Sequence, residues 1–198
     1  MNFYTLEQTK DVWLYSDPHF GHCNIIKYCS RPFSSVEEMN EILLSNYKKI
    51  ITDKSLVYFL GDMSFGRQER KEQTPKWWCE RLGGNIVTYI KGSHDHKIRP
   101  STVPPNNVQK VLCEDYIEVT GIDWAEEGYL RFRLKHEPAY RSNPEEDDYD
   151  WLIHGHTHEE KPLMDFRNRS ICVSVEQTEY RPISLYDIIN LIKERSSI

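Results

Sequence analysis

Five short β-prone runs in this chain of 198 residues each deliver a polar motif at their carboxyl end. Val12 to Tyr15 leads into Ser16-Asp17-Pro18-His19-Phe20-Gly21-His22. Leu56 to Leu60 leads into Gly61-Asp62, and Ile86 to Ile90 leads through Lys91 into Gly92-Ser93-His94-Asp95-His96. Tyr129 to Leu134 leads into Lys135-His136-Glu137-Pro138, and Trp151 to Ile153 into His154-Gly155-His156-Thr157-His158. Each run has strand length and strand composition. In open α/β sheets the loops at the carboxyl edge converge on one crevice, so this placement predicts a shared site at one sheet edge.

Helical patterns fall between the early runs. Ser34-Ser35-Val36-Glu37-Glu38 offers two overlapping capping boxes, and Met39, Ile42, Leu43, Tyr47 and Ile50 follow at helical spacing. Thr74 is placed to cap a helix with Pro75 at its first position, ending near Gly83-Gly84. Ser184 opens a last helix, whose stripe of Leu185, Ile188, Ile189 and Ile192 reads as core packing. No helical signal separates Leu112–Val119 from Tyr129–Leu134, which predicts an antiparallel hairpin with a long loop. The class expected is mixed α/β, with a second, partly antiparallel sheet, in a single domain over residues 1–198.

All eight histidines lie in these motifs, beside Asp17, Asp62 and Asp95. Imidazole mixed with carboxylate suits a borderline divalent cation, and the number of donors is enough for two. Such a set favours Mn, Fe, Zn or Ni; Mg is less suited to so many imidazoles.

The ordered series Asp-x-His, Gly-Asp, Gly-x-His-Asp, His, Gly-His-x-His resembles that of the calcineurin-like metallophosphoesterases, in particular their small stand-alone bacterial and viral members. The likeness spans Asp17 to His158, and the tail from Val173 to Ile183 is also similar to that subgroup. The resemblance implies a four-layer αββα sandwich, two mixed β-sheets flanked by helices, with a dinuclear metal centre at one edge. It places one ion on Asp17, His19 and His158, and a second on His136, His156 and position 93, with Asp62 bridging. His94 is implied to face the substrate as a catalytic group, with Asp95 either orienting its ring or holding the loop. The family pattern carries asparagine where this chain has Ser93. A serine hydroxyl reaches less far, so Ser93 binds through a water, binds poorly, leaves the second site partly filled, or stands as an introduced change that quiets the enzyme.

Around the core ligands, His22 and Arg31 are candidate substrate-phosphate contacts, each set against an ordinary surface role. Phe65-Gly66-Arg67 is a candidate cleft lining, His96 a solvated neighbour, and His154 a support for a ligand histidine. The activity implied is hydrolysis of a phosphodiester or phosphomonoester of a small nucleotide-like substrate by a metal-activated hydroxide. Two other readings stand beside it: a nucleotide-binding or scaffold module weakened at Ser93, and a nuclease acting on single strands or ends.

Composition limits the partners. A formal net charge of −6 disfavours stable coating of duplex nucleic acid. Five cysteines, without a Cys-x-x-Cys pair, argue against both a disulfide framework and a thiolate zinc site, and fit a reduced, cytoplasmic protein. No run reaches the ~20 apolar residues of a membrane span, and the acidic stretch Glu145 to Asp150 reads as an exposed loop.

Overall fold

The computed structural model describes residues 1–65, 74–95, 107–138, 148–160 and 162–196. Gly66, Arg67, His96 and residues 145–147 of the acidic stretch lie outside that set.

Three of the motif-bearing runs become neighbouring parallel strands of one sheet. These are β2 (Val12–Tyr15), β3 (Leu56–Phe59) and β4 (Asn85–Ile90), with β5 (Val108–Leu112) outside β4. The short β11 (Ile183–Ser184) pairs antiparallel with β2 and closes the other edge, giving the order β11-β2-β3-β4-β5. The remaining two runs enter a six-stranded mixed sheet. Its order is β1 (Asn2–Thr5), β6 (Glu114–Thr120), β7 (Tyr129–Lys135), β8 (Trp151–His154), β10 (Ser170–Cys172) and β9 (Met164–Asp165). The expected hairpin is β6–β7, in register from Glu114↔Lys135 to Thr120↔Tyr129. From β7 the ladder continues parallel through β8 to β10. The architecture is therefore mixed α/β, built on two mixed sheets.

Helices form where the caps predict them. In α2 (Val36–Ile50) the Ser35 hydroxyl accepts the Glu38 N–H at 3.1 Å. In α3 (Pro75–Leu82) the Thr74 hydroxyl accepts that of Trp77 at 3.2 Å. In α4 (Leu185–Ser196) Ser184 accepts that of Asp187 at 3.0 Å. One helical turn, α1 (Ile25–Tyr28), follows the first motif.

Two apolar clusters hold the layers. Val12, Leu14, Tyr58 and Ile90 of the five-stranded sheet pack with Ile117, Phe132, Leu134 and Ile153 of the six-stranded one. The Leu185, Ile188, Ile189 and Ile192 stripe of α4 closes that core. Polar pins cross it: Thr88 Oγ1 donates to Asp115 at 2.7 Å, and the hydroxyls of Tyr4 and Tyr58 lie 2.8 Å apart. On its other face the five-stranded sheet packs Val57, Phe59, Ile86 and Tyr89 against Met39, Leu43 and Tyr47 of α2 and Trp78 and Leu82 of α3.

The expected outer helical layer is present on that side only, among the described residues. On the six-stranded sheet, β6 and β7 alternate buried apolar positions with ion pairs on the outer face. Arg131 pairs with Glu118 at 2.9 Å, and Arg133 with Glu114 at 2.5 Å. Charged alternate positions solvate a sheet face instead of burying it. No helix among the described residues is long and apolar enough to cross a membrane.

Ile189 is 1% exposed inside the inter-sheet core. Ile189→Ala is expected to destabilise the fold by about 2–5 kcal/mol, read as a lower urea midpoint with an unchanged slope. A midpoint matching the parent would show that α4 does not close this core.

Candidate metal centre

The carboxyl ends of β2, β3, β4, β7 and β8 meet at a common rim. Backbone bonds stitch the loops together: Asp17 N–H to Gly61 O at 3.1 Å, His19 N–H to Asp62 O at 3.2 Å, and Gly155 N–H to His136 O at 3.0 Å. The approach leaves no room for a side chain at two glycines. A Cβ on Gly92 would collide with the Asp62 backbone nitrogen and carboxylate, and one on Gly155 with Asp17 Oδ2 and Ser16 Oγ.

Asp17, His19, Asp62, His156 and His158 all have φ between 47° and 68°, the left-handed region that L-residues adopt at a cost. Such conformations persist only where surrounding structure over-determines them, and they concentrate at functional sites. Here the motif residues step off their strands and turn their side chains to one point.

That point is Asp62, which is 2% exposed. Its Oδ2 lies 3.3 Å from His136 Nε2, 3.7 Å from His19 Nε2 and 3.9 Å from His94 Nε2. Three overlapping trios present ligand atoms within 4.8 Å of one another: Asp17, His19 and His158; His19, Asp62 and His94; Asp62, His136 and His156. The first and third are the two sets grouped from the sequence, with Asp62 in the expected central position.

Several of these atoms are buried without a partner: Asp17 Oδ1, both ring nitrogens of His19, and His136 Nε2. Burying unsatisfied polar atoms is costly. A divalent cation would supply what they lack, and the oxygen–nitrogen donor set suits one. Acceptors behind the rings fix their tautomers. His136 Nδ1–H donates to the Leu60 carbonyl at 2.7 Å, and His158 Nδ1–H to Glu176 Oε1 at 3.0 Å, which turns each Nε2 toward the cluster. His154 is spent locally, donating from Nδ1 to the Gly155 carbonyl at 2.8 Å.

Burial opposes charge on His136, but the adjacent Asp62 and Asp17 carboxylates outweigh it and raise the ring to about 9. For His158, burial is likewise outweighed, by Cys29, Glu176 and Asp17, which raise it to about 11. Burial pushes Asp62 up, yet His136 and His19 hold it below the usual carboxylate range. His19 is driven well down by burial, and stays neutral and ready to ligate.

Four expectations change in detail. Asp95 does not orient His94: its Oδ2 accepts the backbone N–H groups of Asp62 at 2.8 Å and Gly92 at 2.9 Å. It is 1% exposed and holds the two loops in place, so it is a positioning residue. Arg31 is not a phosphate fork, because its donors are used inside the protein. Nη2 reaches the Asp17 carbonyl and Nη1 the Pro18 carbonyl, both at 2.8 Å, while the guanidinium pairs with Glu176 at 2.7 Å. His22 is 9% exposed and stacks on Phe65; burial, then the charges of His94, Arg31 and His158, lower its pKa, and its ring packs as a brace for Phe65. Ser93 spends its hydroxyl on Asp62 Oδ2, at 3.1 Å.

Glu176 and Ser174 were not singled out from the sequence. Ser174 Oγ donates to Asp17 Oδ2 at 2.9 Å, leaving Oδ1 for the cluster. Glu176 joins Arg31 to His158, and so ties the first motif to the last. The available signal was a carboxylate after the apolar Cys172-Val173, but its partners are more than a hundred residues apart for Arg31 and eighteen for His158.

The fold and site together define a two-sheet α/β protein with a clustered histidine–carboxylate centre. No family model matches the chain. It is 38% identical over 192 residues to the uncharacterized protein MJ1445 of Methanocaldococcus jannaschii, covering 93% of each chain, and belongs to the same family. The Gene 66 protein of Mycobacterium phage L5 is 25% identical over 214 residues, covering 95% of this chain and 98% of its own. Among solved structures, a protein of unknown function, AQ665 from Aquifex aeolicus, superposes with a TM-score of 0.62 at 23% identity. That match covers 91% of this chain and 98% of the other, and shows the shared fold.

Two outcomes are expected. With His136 raised to about 9 and His158 to about 11, a cation must displace protons to bind, so affinity rises with pH from neutrality up through about 9. Calorimetry with Mn²⁺ in two buffers of different ionisation enthalpy reads the proton release, and equal heats would contradict it. Glu176→Ala is expected to weaken the first of two Mn²⁺ binding steps about 10–100-fold, with Glu176→Gln recovering part of the loss. Uniform weakening of both steps would show that Glu176 acts on the fold and not on His158.

Proposed function

We propose that this protein is a metal-dependent phosphoesterase of the calcineurin-like kind, cleaving phosphodiester or phosphomonoester bonds of a small substrate. The observation that carries the reading is the convergence on Asp62 Oδ2 of imidazoles from three loops, flanked by the orphaned Asp17 Oδ1, His19 Nε2 and His136 Nε2. On this reading the two stacked sheets carry the centre at their shared rim, with α2 and α3 as the outer helical layer on the five-stranded sheet.

Asp17, His19 and His158 would hold one ion, and His136 and His156 a second, with Asp62 between them. Two such ions would supply Lewis acidity toward the phosphate and toward an attacking water. The chain's own residues do the rest. The Asp62 carboxylate fixes the spacing, because its Oδ1 is held by the His94 N–H at 2.8 Å and its backbone by Asp95. His94 sits on the open side of the cluster with its side chain 40% exposed. From there it can hold a proton at Nε2 for the departing alkoxide oxygen, a role worth ~10²–10⁴ in rate. Low-dielectric surroundings around Asp17, His19 and His136 strengthen each of these interactions.

Ser93 supports a second reading, in which the site binds a phosphorylated ligand with little turnover. Its hydroxyl caps Asp62 Oδ2, where asparagine would instead offer a longer amide oxygen to the second ion.

Bis-p-nitrophenyl and p-nitrophenyl phosphate distinguish these. Release with Mn²⁺, abolished by chelator and reduced ~10²–10⁴-fold in His94→Ala at unchanged metal content, is the expected result. Ser93→Asn is expected to tighten the second metal step and raise kcat. If neither the chain nor Ser93→Asn releases nitrophenol, while Mn²⁺ and phosphate still bind, the binding-module reading replaces the hydrolase.

A further inference from the structure

One wall of the cleft is aromatic. Phe65 follows directly on the Gly61–Ser64 loop that carries Asp62, and it is 42% exposed. One of its faces stacks on the His22 ring, with centroids 4.2 Å apart and planes 21° from parallel. It also meets His94 edge-on at 4.9 Å. His22 in turn lies 5.8 Å from the ligand candidate His19, and Tyr28, 70% exposed, stands edge-on to His22 at 6.1 Å. The loop is anchored, since Phe20 N–H donates to Met63 O and Phe65 N–H to Phe20 O at 3.0 and 3.1 Å.

A phenyl ring stacked on one side by an imidazole yet open to water, beside a polar cluster, forgoes the burial that such a side chain usually gains. His22 is buried behind it and braces it, so the ring does not fold down onto the protein surface. We propose that Phe65, backed by His22, is a stacking platform for a planar heteroaromatic group attached to the phosphate that the neighbouring cluster holds. The substrate class is then a nucleotide or its close chemical equivalent. The inference rests on the phosphoesterase reading for the phosphate, and on the aromatic wall for the ring. Tyr28 extends the same wall outward from the metals. Stacking on an aromatic side chain tolerates any base, because every base has a π-face.

The test compares two ligands with the same phosphate: adenosine 5′-monophosphate, and ribose 5-phosphate, which lacks the ring. Their affinities for the Mn²⁺-loaded protein are measured by calorimetry, so no turnover is required. The nucleotide is expected to bind at least about fivefold more tightly. Phe65→Ala should erase that difference while leaving ribose 5-phosphate binding unchanged, and Phe65→Trp should preserve it. Thermal melts establish that both variants are folded.

Equal affinities in the parent chain, a preference that survives Phe65→Ala, or no binding of either ligand would each overturn the platform. Failure of the hydrolase reading looks different: no nitrophenol is released from the chromogenic esters, yet the Phe65-dependent preference for the nucleotide persists.

Discussion

The rest of this structure is arranged around one buried carboxylate. Asp62 sits where β3 ends, in the left-handed region, with its amide held by Asp95, one carboxyl oxygen held by the His94 N–H, and the other facing three imidazoles. A charge so deeply placed is tolerated only when compensated. The compensation comes from both sheets: His19 and His94 from loops of the five-stranded sheet, His136 from the six-stranded one. Electrostatic demand at a single residue therefore requires the two sheets to end at the same rim.

Around that hub the protein places positioning groups in pairs. Asp95 acts on backbone, and Arg31 acts on the carbonyls of Asp17 and Pro18. Glu176 neutralises Arg31 and orients His158 at once, so a single carboxylate couples the first motif to the last. Such indirect supports set the geometry of ligands as firmly as the ligands themselves. Their cost is a set of strained backbone positions and orphaned polar atoms, a conflict between stability and function that is expected at sites built for a charged guest.

The open side of the centre has a different character. Phe65, Tyr28 and the partly exposed His94 side chain form a partly apolar rim beside the polar cluster, while most other large apolar side chains are buried between the sheets and under α2 and α3, with Phe3 and Phe166 among the exposed ones. The outer face of the six-stranded sheet carries Arg–Glu pairs.

Much of this was legible in the linear chain. Strand-length runs at β2, β3, β4, β7 and β8 and three capped helices depend on near-neighbour physics, namely side-chain periodicity and local hydrogen bonds, which sequence records directly. The metal-ligand candidates stood out because all eight histidines sit in motifs just beyond those strands, and their grouping into two sets came from the family resemblance of the motif series. The roles of Arg31, His22 and Glu176 were not legible, that of Asp95 was legible only as one of two alternatives, and the outer face of the six-stranded sheet was not legible as a solvated one. A guanidinium or imidazole has the same spelling whether it meets a ligand or a backbone carbonyl. Which it meets depends on contacts between residues far apart in the chain, and those distances exist only once both sheets have packed and brought their carboxyl ends together.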